Sequence, residues 1–141
     1  MDIFIGSDHA GVGLKALIKE RFGNRFNFED AGTFTEDSVD YPDFAHKVAE
    51  NVLKNEGSIG ILICGTGNGM AITANKHAGI RAALCWAPEI AALAKQHNNA
   101  NIIVLPARFI STENAFLTLQ AYLDAEFEGG RHQRRIDKIN L

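Results

Sequence analysis

Five short runs rich in Ile, Val and Phe punctuate this chain: Ile3–Gly6, Phe26–Glu29, Ile59–Cys64, Ile80–Leu84 and Ile102–Pro106. Each has the length of a buried strand, and longer amphipathic stretches separate them. Within those stretches apolar residues recur at helical spacing. The sets are Leu14, Leu17, Ile18 and Phe22; Phe44, Val48, Val52 and Leu53; Ile90, Leu93 and Ala94; and Phe116, Leu119 and Leu123. Strands that read as apolar throughout, alternating with helices, predict a parallel sheet covered on both faces: a three-layer α/β domain. With 141 residues, 46% of them hydrophobic, the chain suits one domain over residues 1–141.

Several functions are disfavoured at this level. The net charge of -3 offers no basic surface for nucleic acid. No run approaches the ~20 apolar residues of a membrane span. Met1 leads straight into a strand-like run with no basic segment ahead of a long apolar stretch, so no secretory signal is expected and a cytoplasmic setting is. The two cysteines, Cys64 and Cys85, lack CxxC spacing and are expected as free thiols there. The five histidines fall at no metal-ligand spacing, so no metal site is expected. Near the end of the chain Gly129-Gly130 breaks a helical pattern ahead of Arg131, Arg134 and Arg135, which predicts a final helix projecting towards a second subunit.

In an open parallel sheet, ligands bind beyond the carboxyl ends of the strands. Directly after the third run comes Cys64-Gly65-Thr66-Gly67-Asn68-Gly69-Met70. Glycines let the backbone turn tightly and bring amide N–H groups close to an anion. The turn lacks the Lys-Ser/Thr ending of a P-loop and the glycine spacing of a dinucleotide fingerprint. Helix starts favour thiolate over thiol, so Cys64 is a candidate base. It reads equally well as a packed strand end. Asp8 and His9 follow the first run, where a ligand is expected or where a helix cap would sit. His97 and Asn98 lie in an amide-rich turn, and imidazole suits acid–base work near neutral pH. Arg131 and Arg135 are four apart on one helix face, as two guanidinium groups gripping a phosphate would be, or as a solvated basic face would be.

Six segments in this order resemble the ribose-5-phosphate isomerase B family, which includes galactose- and allose-6-phosphate isomerases. They are GSDHAG (Gly6–Gly11), DYPDFA (Asp40–Ala45), GILICGTGNGM (Gly60–Met70), ANKHAGIRAALC (Ala74–Cys85), KQHNNAN (Lys95–Asn101) and EGGRHQRR (Glu128–Arg135). The resemblance implies a Rossmann-like domain with a five-stranded parallel sheet. It implies interconversion of ribose 5-phosphate and ribulose 5-phosphate without metal or organic cofactor. It also implies a homodimer with sites shared between subunits, and a dimer of dimers is the next assembly compatible with it. By position in the motifs, Cys64 is the base and His97 opens the furanose ring. Thr66 assists proton transfer between oxygens, and the amides of Gly65, Thr66, Gly67, Asn68 and Gly69 hold the enediolate charge. Asp8, His9, Tyr41 and Asn98 match substrate-binding positions, and Arg108, Arg131 and Arg135 match the phosphate clamp. Asn99 stands where the family often has Asp, and Met70 where a cysteine-free branch has Glu. A six-carbon sugar phosphate is the alternative substrate, and a non-catalytic phospholigand-binding module is the alternative from another class.

Overall fold

The computed structural model describes residues 1–140. The apolar runs form one parallel sheet from β1 (Asp2–Ser7), β2 (Asn27–Asp30), β3 (Ile59–Cys64), β4 (Ala82–Leu84) and β5 (Ile102–Pro106), ordered β2-β1-β3-β5-β4. The helices are α1 (Val12–Phe22), α2 (Tyr41–Lys54), α3 (Asn68–Ala74), α4 (Pro88–Asn98), α5 (Thr112–Asp124) and α6 (Arg131–Asp137). A single 3₁₀ turn, His9–Gly11, links β1 to α1. Among the described residues no helix is long and apolar enough to cross a membrane.

Strand alternation divides the core between the two faces. Ile3, Ile5, Ile61, Ile63 and Leu105 pack on Ile18 and Phe22 of α1, Ala91 of α4 and Leu119 of α5. Phe4, Leu62 and Val104 pack on Val48 and Val52 of α2 and Met70 of α3. These are the three layers that the alternation predicts.

The differences from the predicted elements have local causes. β4 starts at Ala82 rather than Ile80, because the Ile80 amide closes a turn onto the His77 carbonyl and the Arg81 amide donates to Asn101 Oδ1. α4 buries Ala91 and Ala94 and leaves Ile90 and Leu93 exposed, so of the apolar set Ile90, Leu93 and Ala94 only Ala94 reaches the core. Small side chains on that face let α4 lie close against α5. α5 ends before the glycines, where Ala125 turns extended. The Glu128 amide then donates to the Gln96 carbonyl at 3.0 Å. α6 lies against α4 with Ile136 buried and Arg131, Arg134 and Arg135 exposed.

One buried charge holds the strand ends in place. Lys15 of α1 is almost wholly buried; its Nζ lies 2.7 Å from Asp30 Oδ1 and also donates to the Thr33 carbonyl. Burial pushes the Asp30 carboxyl up, but Lys15, the Gly32 amide and Lys19 together hold it below its ordinary value. The segment so anchored bonds β1 directly: the Ser7 amide donates to the Gly32 carbonyl, and the Thr33 amide donates to the Ser7 carbonyl.

Gly11 presses on β3: a Cβ there would stand 2.7 Å from Ile63 Cγ2 and 2.9 Å from its carbonyl oxygen. Gly11→Ala is expected to destabilise the protein by about 1–3 kcal/mol through overpacking. The shift in urea midpoint measures it, and an unchanged midpoint would contradict this packing.

Candidate active site

The chain lays β2 on one side of β1 and then returns to lay β3 on the other, so the switch point of the sheet lies between the carboxyl ends of β1 and β3. Two of the sequence-marked segments meet there. The Asp8 amide donates to the Ile63 carbonyl at 3.1 Å, which ties the turn after β1 to the residue before Cys64. Asp8 is buried and caps the following turn by accepting from the Ala10 amide at 2.9 Å. His9 Nδ1 accepts from the Val39 amide at 3.3 Å, so a neutral ring carries its proton on Nε2.

Cys64 ends β3, is 5% exposed, and pairs with Pro106 of β5. The glycine turn starts at the next residue. Gly67 has φ +80 and stands against Leu84, so both backbone and space exclude a side chain there. Thr66 is exposed, and its Oγ1 accepts from the Asn68 amide at 3.2 Å. Tyr41, the first residue of α2, lays its ring on Gly69, where a Cβ would come within 2.5 Å of it. The tyrosine packs against the turn and is nonetheless 40% exposed. Arg108 reaches over Gly65, where a Cβ would lie 3.2 Å from Nη1. A cleft of about 530 Å³ opens beside the turn, lined by Thr66, Asn68, Leu84, Trp86, Pro106 and Phe109.

The remaining predicted residues lie elsewhere. His97 and Asn98 end α4, and the chain then enters β5 at Ile102, the amino end of the sheet. Ile102 pairs with Gly60, whereas Pro106 pairs with Cys64. Four residues of strand, ~13 Å, separate those levels. Asn98 borders a second hollow of about 320 Å³ with Asn75 and Arg81. His97 Nε2 lies 3.7 Å from Glu128 Oε1, and its ring stacks on His132 at 4.3 Å. Arg131 and Arg135 stand on the same short helix as His132. The candidate residues therefore fall into two groups within the chain. Asp8, His9, Tyr41, Cys64, Gly65, Thr66, Gly67, Asn68, Gly69 and Arg108 gather at the carboxyl edge. His97, Asn98, Arg131 and Arg135 gather at the amino edge.

Sequence reading missed Trp86 and Phe109, both more than half exposed at the cleft. The signal was available, since each follows a strand end. It also missed Glu128 and His132, whose approach to His97 no linear spacing reveals.

The thiols differ in setting. Cys85 is fully buried, and burial pushes its thiol up to about 12. Iodoacetamide is therefore expected to place one adduct on the folded protein, at Cys64, and a second at Cys85 only after denaturation. Intact-mass and peptide analysis reads the result; adduct on Cys85 in the folded protein would contradict the assignment.

Comparison with known proteins identifies the family. The Ribose/Galactose Isomerase family model matches residues 3–139. Ribose-5-phosphate isomerase B of Escherichia coli is 44% identical over 138 residues, covering 97% of this chain and 93% of that one. A ribose 5-phosphate isomerase structure from Thermotoga maritima superimposes with TM-score 0.96 at 54% identity, covering 99% of this chain and 97% of that one. Ribose-5-phosphate isomerase B from Mycoplasma genitalium, solved with bound ribulose-5-phosphate, gives TM-score 0.94 at 49% identity over 98% of this chain and 93% of that one. A cysteine at the switch point, a glycine turn behind it and this match along nearly the whole chain lead to one conclusion: the chain belongs to the ribose/galactose isomerase family.

Proposed function

We propose that this protein is an aldose–ketose isomerase that interconverts ribose 5-phosphate and ribulose 5-phosphate by proton transfer within the substrate. The observation that carries the reading is Cys64, set at the end of a buried strand directly before a turn of backbone amides. Relatives bearing the ribose-5-phosphate isomerase B name, one of them holding ribulose-5-phosphate, support the choice of substrate.

A carbon-bound proton beside a carbonyl is a weak acid. Its removal needs a close base and a partner for the charge that moves onto oxygen. Cys64 as thiolate takes the proton from C2 of the open-chain aldose and returns it at C1. Between these steps lies a cis-enediolate. The amides of Gly65 to Gly69 hold its charge as it develops. Thr66 assists the proton shift between the two oxygens. Asp8, His9, Tyr41 and Asn98 bind the sugar. Arg108, Arg131 and Arg135 grip the phosphate, whose binding energy positions the reacting carbons. No cofactor is required for these steps.

Ring opening at C1 and deprotonation at C2 involve adjacent atoms of one small molecule. His97 and Cys64 of one chain lie at opposite edges of the sheet, so a single chain cannot apply both to one sugar. A two-fold pair of chains would bring the amino-edge half of each to the carboxyl-edge half of the other. The apolar faces needed for such a pair are present: Ile90 and Leu93 on α4, and Trp86 and Phe109 at the cleft, are exposed. The working unit is then a homodimer with two shared sites.

Cys64→Ala is expected to lower turnover by about 10²-fold or more, the usual contribution of a positioned base. It should leave substrate binding in place, and loss of C2 proton exchange with solvent should follow the rate. Most of the activity surviving the substitution would refute the base assignment. Comparison of kcat/KM for five- and six-carbon substrates decides between ribose 5-phosphate and an allose or galactose 6-phosphate.

Shared sites make a separate prediction. Cys64→Ala and His97→Ala are each expected to be inactive alone. Mixed under conditions that exchange subunits, they should recover about a quarter of native activity, because half the dimers carry one intact site of two. No recovery despite demonstrated exchange would place both residues in one chain's site.

A further inference from the structure

The linear spacing of the histidines conceals a convergence. His97, at the end of α4, and His132, at the start of α6, both turn Nε2 towards Glu128 Oε1, at 3.7 Å and 3.5 Å. All three donor atoms lie within 4.8 Å of one another. We propose that His97, Glu128 and His132 form a binding site for a divalent transition-metal ion, zinc above all, and that the bound ion inhibits the enzyme.

The donor set selects the ion. Two imidazole nitrogens and one carboxylate suit zinc and its neighbours, whereas magnesium and calcium require oxygen ligands. Zinc holds nitrogen and oxygen at ~2.0–2.2 Å, which sets tetrahedral donors about 3.4 Å apart. Two of the separations already stand near that value. The rings are stacked within 10° of parallel, so each must tilt to aim its lone pair at a common centre. The side chains have room to do so, since His97 and Glu128 are 42% and 51% exposed. The backbone beneath them is pinned, because the Glu128 amide donates to the Gln96 carbonyl at 3.0 Å and the His132 amide to the Gly129 carbonyl at 3.1 Å. Three protein ligands leave a fourth position open to water or to a substrate oxygen. The Glu128 carboxylate offsets the repulsion that Arg131 and Arg135, on the same helix, exert on a cation.

The inhibitory part rests on the proposed role of His97. A metal ion on Nε2 occupies the atom that would exchange a proton with the ring oxygen of the sugar. Inhibition therefore arises at the amino edge and not through Cys64.

Calorimetry with zinc separates the two possibilities. Cys64→Ala protein, which has no thiolate at the carboxyl edge, is expected to bind one zinc ion per chain. Adding Glu128→Gln or His132→Gln to that background should weaken binding at least about tenfold, since even outer partners of a metal site contribute that much. Far-ultraviolet circular dichroism of each variant checks that the fold survives. Absence of zinc binding to Cys64→Ala, or affinity in both double variants unchanged from that of Cys64→Ala, overturns the site. In the native enzyme, zinc should lower activity and a chelator should restore it. Full activity with the site occupied overturns the inhibitory role and the ring-opening role of His97 together, while binding itself stands on the calorimetry.

Discussion

The parallel pairing of β1 with β3 is the contact on which the carboxyl-edge arrangement depends. Register sets Ser7 opposite Ile63, and the Asp8 amide carries the ladder one bond further to the Ile63 carbonyl. That bond fixes the turn bearing Asp8 and His9 beside the turn that starts after Cys64. Gly11 allows it by leaving space against Ile63. The opposite flank is held by Lys15, which neutralises Asp30 and caps the Thr33 carbonyl, and by the bonds from Gly32 and Thr33 to Ser7. A buried ammonium without its carboxylate would carry an uncompensated charge. Asp30 stays below its ordinary carboxyl value and so favours the fold above the usual carboxylate range, and that contribution is lost as pH falls through its lowered titration.

Parallel strands give the sheet a direction, and the chemistry divides along it. Everything that follows a strand arrives at the carboxyl edge: Asp8, Cys64, the glycine turn, Trp86 and Arg108. Everything that follows a helix arrives at the amino edge: His97, Asn98 and, after α5, the segment with Arg131 and Arg135. The same geometry that buries the backbone of β3 so completely prevents these two sets from meeting within one chain.

Much of this was legible in the amino-acid order. The switch from apolar runs to helical spacing located all five strands. β3 and β5, buried at every position, carry the plainest signal, because strands buried on both faces need apolar residues throughout. Edge strand β2 carries a single apolar residue, Phe28, among polar ones. Cys64 was legible as a strand end before glycines, although packing and chemistry predicted the same residue there. The motif order carried the assignment further than the physics did. Helix orientation was harder to read. Ile90, Leu93 and Ala94 share the helical spacing, yet only Ala94 of them is buried, beside Ala91, since close approach to α5 selects small side chains. The approach of His132 and Glu128 to His97 could not be read at all. It depends on where α5 stops and how the chain bends back onto Gln96, which no local pattern encodes.

Cys85 adds a consequence for oxidative damage. The two sulfurs belong to opposite faces of the sheet, with β5 between β3 and the strand that leads to Cys85. Two strand spacings, about 10 Å, part their backbones, beyond the ~7 Å that a disulfide can bridge. A sulfenic acid formed on Cys64 by peroxide therefore finds no resolving thiol in its own chain. Its rescue falls to a small thiol from solution, and without one oxidation proceeds to sulfinic acid and permanent loss.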